Sequence, residues 1–522
     1  MQHFICSLLT ALLLGAQSTT AAPTNETSQA CTEIKNALPG RVLTPGLLEV
    51  EYEYETQQYW STTLRTIDPA CIVQPESATD VATVVKILNK YPTVKFATRS
   101  GGHDPNVGHA TVQDGVLIAM TNLTGATYDA ARNVAYVLPG GEWNDVIGDL
   151  EPSGVTVAGG RLGLVGVGGL LLGGGLSFLS AQEGMAADNI IEWETVMANG
   201  SVVNVNAAEH PDLAQAMRGS GSQFGIVTKY TAKVHAIGDV WGGSCVYDAT
   251  EDNKLYAALH NFVANGDEDP KAAIIFTSLI VTGGVTTNLV YYFYDGPTRP
   301  ASGPFADFFS IPGLVCAPTT QKYSELLRSN GEPVRLLNAR VSFRVSSPIP
   351  SSHPLLTKRK TYTIPYISTR PQMYAEIRNE LANITAPFLT TLRATQFSVD
   401  FQPLPSLFGR ISQSKGGNAI GLTASDPDRL ILEIQGAWSL ASDDAYAYSL
   451  TKQLTDWLDV QVPLWLEEAG MSRDMYLPFF INDAAGDQDV FKTYRDYDKF
   501  KALQKSVDPN GLFSGRAGGF KY

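Results

Sequence analysis

Gly159-Gly-Arg-Leu-Gly-Leu-Val-Gly-Val-Gly-Gly-Leu-Leu-Leu-Gly-Gly-Gly175 carries nine glycines in seventeen residues, the densest anomaly in the chain. A flexible linker of this glycine content is polar and rich in serine. Here the intervening residues are mainly Leu and Val, so the stretch reads as buried backbone: glycine lets the main chain approach another group closely while branched side chains pack behind it. Two further glycine turns lie upstream, Arg99-Ser-Gly-Gly-His103 and Pro139-Gly-Gly141, each entered from an apolar run that reads as a strand, residues 94–98 and 133–138. Turns of this kind expose consecutive backbone N–H groups that can surround an anion such as a pyrophosphate. Gly163-Leu-Val-Gly-Val-Gly168 does not match the GxGxxG spacing of the dinucleotide-binding βαβ unit.

Outward from these turns the periodicity is regular. Ser77-Ala-Thr-Asp80 caps a helix whose Val81, Val84, Val85 and Leu88 recur at i, i+3, i+4 and i+7, and which Pro92 ends. Residues 115–120 read as a strand, residues 190–205 as a hairpin turning at Asn199-Gly200, residues 210–218 as a short helix and residues 223–228 as a strand. From about residue 240 the glycine clusters stop. Strands at 273–282 and 289–294 with helices at 373–389 and 443–458 then predict a second, mixed domain.

The chain has 522 residues, enough for two or three domains, and 52 acidic against 38 basic residues give a net charge of −14. That balance repels nucleic-acid backbones and anionic membranes, so neither is an expected partner. Residues 1–22 have the layout of a secretory leader, too short for a membrane anchor, and the expected localisation is extracellular. Acceptors for N-glycosylation stand at Asn25, Asn122, Asn199 and Asn383. With Cys6 removed in the leader, a Cys31–Cys71 bridge is the natural expectation, while the state of Cys245 and Cys316 is open. No CxxC pair supports a zinc site, and His109, six residues past His103, lacks a third ligand nearby, so no metal is expected.

The ordered set Arg99-Ser-Gly-Gly-His103, Val165-Gly-Val-Gly-Gly169, Gly173-Gly-Gly175, Asp188-Asn-Ile, Arg218-Gly-Ser-Gly-Ser-Gln-Phe-Gly-Ile-Val227 and Asp508-Pro-Asn-Gly-Leu-Phe513 resembles the berberine bridge enzyme-like oxidoreductases of the vanillyl-alcohol oxidase and p-cresol methylhydroxylase flavoprotein superfamily. The resemblance covers about residues 55–240 and 470–522. It implies an α+β fold, with a p-cresol methylhydroxylase-type FAD-binding domain of two α+β subdomains and an α/β substrate domain built on an antiparallel sheet. The expected boundaries are an N-terminal arm 23–64, the FAD-binding domain 65–238, the substrate domain 239–470 and a C-terminal segment 471–522 returning to the first domain.

By the same resemblance FAD is the cofactor and His103 its covalent attachment point, at the 8α carbon of the flavin. The backbone of Arg99, Ser100, Gly101 and Gly102 with Gly140 and Gly141 is implied at the pyrophosphate. Gly168, Gly169, Gly173 and Gly174 are implied along the ribityl chain and ring, Ile226 and Val227 at the isoalloxazine edge, and Asp104 and Asn482 also at the cofactor. The chain departs from the family twice. Leu162 stands where doubly tethered members carry Cys, so a single covalent bond is expected. Phe480-Ile-Asn-Asp483 replaces a Tyr-x-Asn-Tyr motif, so Tyr476, Asp483, Gln402 or Gln413 would have to serve as catalytic base or substrate contact. The resulting expectation is an oxidase acting on an alcohol, carbohydrate or secondary metabolite with dioxygen as acceptor. The alternatives are a dehydrogenase passing electrons to a quinone-like acceptor, or a catalytically weak flavin-binding protein.

Overall fold

A computed structural model describes residues 24–46, 49–335, 339–344, 362–391 and 393–522. The expected leader, with Cys6, lies outside the described residues. The capped helix forms as its sequence requires: Ser77 Oγ accepts from the Asp80 N–H at 3.1 Å, the helix runs Ala78–Leu88, and Val81, Val84, Val85 and Leu88 are buried.

The first half of the chain builds two layers. In the first sheet β1 (Val42–Leu43), β2 (Cys71–Val73), β3 (Phe96–Arg99) and β4 (Val116–Ala119) lie in the order β1-β2-β4-β3, with β4 parallel to both β2 and β3. The next strands are β5 (Ala126–Asp129), β6 (Val134–Val137), β7 (Val155–Thr156), β8 (Ile190–Val196), β9 (Val202–Asn206), β10 (Ile226–Lys233) and β11 (His235–Ala236). Five of them form an antiparallel sheet, β5-β6-β10-β8-β9, and β7 pairs with β11. The sequence reading begins the strand at residue 223. In the structure it begins at Ile226, because Gly221 and Gly225 hold positive φ and keep that stretch out of the ladder.

The second half is one large antiparallel sheet with helices on its far face. Its strands are β12 (Val240–Asp248), β13 (Ala272–Val281), β14 (Val285–Tyr294), β15 (Val315–Cys316), β16 (Thr319–Gln321), β17 (Arg340–Arg344), β18 (Tyr362–Pro365), β19 (Ala394–Leu404) and β20 (Arg429–Trp438). The central order is β12-β14-β13-β19-β20-β17. Alternation along β19 divides its two faces. Phe397, Val399 and Phe401 join the apolar core shared with the helices Met373–Leu389 and Asp444–Glu468, whereas Gln396, Ser398, Asp400 and Gln402 face the first half of the molecule.

The C-terminal residues cross back to the first sheet. Ala517 forms a bridge with Phe96, and the Arg516 guanidinium donates to the carbonyls of Val94, Leu88 and Tyr91, each at 2.9 Å. Cys31 is bonded to Cys71, tying the helix Asn25–Ala37 to β2, and Cys245 on β12 is bonded to Cys316 directly across from it on β15. No helix among the described residues is long and apolar enough to cross a membrane. Thiol titration of the denatured, unreduced chain from residue 23 onward should therefore detect no free cysteine; one or two free thiols would contradict the pairing.

Candidate active site

The two halves enclose a cavity of about 460 Å³, bounded on one side by glycine turns and on the other by the polar face of β13, β14, β19 and β20. The glycine side is shaped by backbone touching backbone. A Cβ on Gly101 would lie 2.6 Å from Gly166 Cα, and a Cβ on Gly166 would lie 2.3 Å from Gly101 N. Only glycine at both positions lets the 99–103 turn rest on the 159–175 segment. Gly169 has no heavy atom within 4 Å of where its Cβ would stand, so its bare main chain faces the cavity.

His103 lines this wall with its ring stacked on Trp60, centroids 4.5 Å apart and planes 16° from parallel. Burial lowers its pKa to about 4 against the opposing pull of Asp104, so the imidazole is neutral at pH 7 and keeps a nitrogen lone pair. Asp104 Oδ2 is 2.8 Å from His109 Nδ1, and the His109 ring meets Phe520 edge-on. Asn482 staples the glycine segment, its side-chain oxygen accepting from Gly175 N at 3.1 Å and its amide donating to the carbonyls of Gly169 and Leu170. Ser100, Gly101, Gly102, Gly168, Gly173, Ile226, Val227, Leu162 and Phe480 also line the cavity.

Other expected site residues stand elsewhere. The Arg99 side chain is buried away from the cavity, paired with Glu55 and packed over the Tyr59 ring. Gly140 and Gly141 do not line the cavity: Gly140 is pressed on the Met120 carbonyl, so it serves chain packing. Gly174 is turned toward Ile420 and Met185. Tyr476 lies outside as well, its hydroxyl bonded to the Ile420 carbonyl and its ring under the Arg495 guanidinium at 3.7 Å. Gln413 accepts from Ala424 N on the exterior. Packing thus turns Tyr476 and Gln413 away from the cavity, whereas the role expected of the Arg99 backbone is independent of where its side chain lies.

Gln402 and Asp483 do reach the cavity, and they belong to a larger polar floor. Arg161 donates to Gln402 Oε1, and Gln402 Nε2 donates to Asp483 Oδ2 at 2.9 Å. Asp400 and Glu433 stand directly opposite each other on β19 and β20, beside Ser398 opposite Gln435, with Thr277 across from Asp400 on β13. Burial raises all three acids, and their neighbouring negative charges raise Asp400 and Glu433 further. Asp483 rises to about 6, Asp400 to about 7, and Glu433 goes well above the usual range, while Arg161 opposes each shift. Arg161, Asp400 and Glu433 escaped the sequence reading; the alternation Gln396-x-Ser-x-Asp-x-Gln402 was the available signal.

A model of the FAD binding domain matches residues 69–206. An uncharacterized FAD-linked oxidoreductase of Arthroderma benhamiae is 33% identical over 482 residues, covering 90% of this chain and 91% of that one. The chain belongs to the FAD-linked oxidoreductases. Among experimental structures, berberine bridge enzyme from Eschscholzia californica superposes with a TM-score of 0.68 at 15% identity, covering 94% of this chain and 98% of that one. Xylooligosaccharide oxidase from Myceliophthora thermophila, in complex with xylobiose, gives 0.67 at 20% identity, with coverages of 94% and 99%. FAD is thus the cofactor, and the cavity fits it. The glycine walls offer main chain without side chains, and the buried Tyr230 hydroxyl on the same cavity has no partner among the described residues.

Two outcomes follow for this oxidoreductase. Glu55→Gln strands the buried Arg99 charge at the root of the 99–103 turn and should cost about 3–5 kcal/mol in denaturant unfolding; an unchanged midpoint would refute the anchoring role. Because Glu433 holds its proton more tightly folded than unfolded, its carboxyl favours folding at low pH and loses that advantage as pH rises. Glu433→Gln should therefore raise the melting temperature by about 2 °C or more at pH 8 and leave it little changed at pH 4.

Proposed function

We propose that this FAD-linked oxidoreductase is a secreted oxidase that holds FAD through one covalent bond at His103 and oxidises a small alcohol, carbohydrate or secondary metabolite. Dioxygen is the proposed acceptor and hydrogen peroxide the product. The observation that carries the reading is one cavity with a neutral imidazole on the glycine side and proton-accepting carboxyls on the other. Leu162 lines the same cavity and offers no thiol for a second bond. The four glycosylation acceptors are all exposed, which suits a chain routed outward.

The chemistry that FAD supplies when bound is acceptance of a hydride from a substrate C–H bond. The chain's own residues handle the proton. A carboxyl titrating near the working pH is suited to take a proton from a substrate O–H or N–H, and Asp400, raised to about 7, has that property. Glu433 beside it retains a proton and can donate a hydrogen bond, while Arg161 and Gln402 hold Asp483 in place. The apolar side chains of Leu279, Leu289, Ile275 and Phe480 line the rest of this end and limit water there.

Denaturing electrophoresis under ultraviolet light tests the attachment. In-gel flavin fluorescence should persist in the wild type and in Leu162→Ala and vanish in His103→Ala; colour that washes out of the wild type on acid precipitation would refute the covalent bond. For the acceptor, substrate oxidised in air-saturated buffer should release an equal amount of peroxide. Turnover only on adding a quinone would select the dehydrogenase instead.

A further inference from the structure

We propose that the cavity floor formed by Asp400, Glu433 and Asp483 around Arg161 is a binding site for a cationic nitrogen, so that the substrate is a primary or secondary amine presented as its ammonium ion. This names the substrate class of the oxidase described above and rests on that reading.

Charge and geometry carry the argument. Three carboxyl side chains face one guanidinium in the same cavity, which leaves two formal negative charges uncompensated when all are ionised. Asp400 and Glu433 are directly cross-strand, where side chains are about 5 Å apart at Cβ and like charges repel. Asp400 is held by the Thr277 hydroxyl, yet its Oδ1 is enclosed and has no hydrogen-bond partner among the described residues. A buried carboxylate oxygen left without a donor is costly, and the structure keeps one facing a cavity.

An ammonium group answers this arrangement. It brings one positive charge and two or three N–H donors to a place with acceptors to spare. A polyol would find partners at Gln396, Ser398 and Gln435 but would bring no positive charge to let the carboxyls ionise. A divalent metal does not fit, since among the described residues no group of three His, Cys, Asp or Glu is arranged to hold one. An anionic substrate would add a further negative charge to the same floor.

The groups facing the trio from each side are Arg161 from the glycine segment, Thr277 on β13, Tyr291 on β14, Gln402 on β19, Gln435 on β20 and Tyr323 behind Arg161. None of them supplies a second cation. Without a ligand the floor balances its charge by retaining protons. An incoming ammonium ion therefore expels protons, and its affinity rises as pH goes from 6 to 8.

The test is titration calorimetry of the flavin-loaded enzyme with three matched pairs: benzylamine and benzyl alcohol, tyramine and tyrosol, n-hexylamine and 1-hexanol. At least one ammonium ion should bind tenfold or more tighter than its alcohol at pH 7.5. Repeating the titration in buffers of different ionisation enthalpy should show proton release, a fraction of a proton up to about one per ion. Asp400→Asn and Glu433→Gln, checked for flavin absorbance as a sign of a loaded fold, should each lose tenfold or more of the preference. If no ammonium ion outbinds its alcohol, or binding releases no proton, the proposal is overturned. Peroxide-yielding oxidation of alcohols without ammonium binding sinks this inference alone. Ammonium binding with proton release in an enzyme that oxidises nothing sinks the oxidase reading alone.

Discussion

Two main chains touch at Gly101 and Gly166, and the site depends on that contact. With no Cβ on either residue, the turn after β3 can lie against the glycine-rich segment and fix the wall from which His103 projects. The same segment carries Arg161 from Gly160 to the floor formed by β19 and β20. A single steric condition therefore sets both the imidazole on one side of the cavity and the guanidinium on the other. The turn is held from behind by the buried Arg99–Glu55 pair, a charge kept out of the site to anchor its frame.

The second organising fact is where the large sheet places its polar face. A sheet of this kind usually turns its polar side to solvent. Here the polar residues of β19 and β20 face inward against the first half of the molecule, and the apolar residues of the same strands pack under helices. Burial of the polar face makes its carboxyls hard to ionise, and the single Arg161 only partly offsets that. Acids that would titrate near 4 in water are thus poised near neutrality. The glycine side contributes the opposite condition, an imidazole that burial keeps uncharged. Both effects have one physical source, removal from water, acting on groups of opposite charge type.

Tyr476 and Asn482 illustrate how nearby positions divide between support and site. Tyr476 braces Ile420 and Arg495 and leaves the cavity to its neighbours, whereas Asn482 bonds the glycine segment directly. Phe480 lines the cavity, so the hydroxyl that the resemblance places there is missing from the surface itself. The polar work falls instead to residues 80 positions earlier on β19 and about 50 earlier on β20.

The helix Ala78–Leu88, the hairpin at Asn199-Gly200, the glycine turns and the family order that implies FAD are legible along the chain, because each is written in local spacing, capping and periodicity. It also marked Cys31 and Cys71 as partners. The floor is assembled by long-range packing. Asp400 and Glu433 meet through the pairing of two strands separated by a helix and a long loop, and Arg161 arrives from a different half of the chain. No local pattern encodes such a meeting, since the register of distant strands and the face each side chain takes are fixed by packing across the whole molecule. For the same reason spacing does not show that the Arg99 side chain pairs with Glu55 behind the turn or that Gly140 is pressed on the Met120 carbonyl.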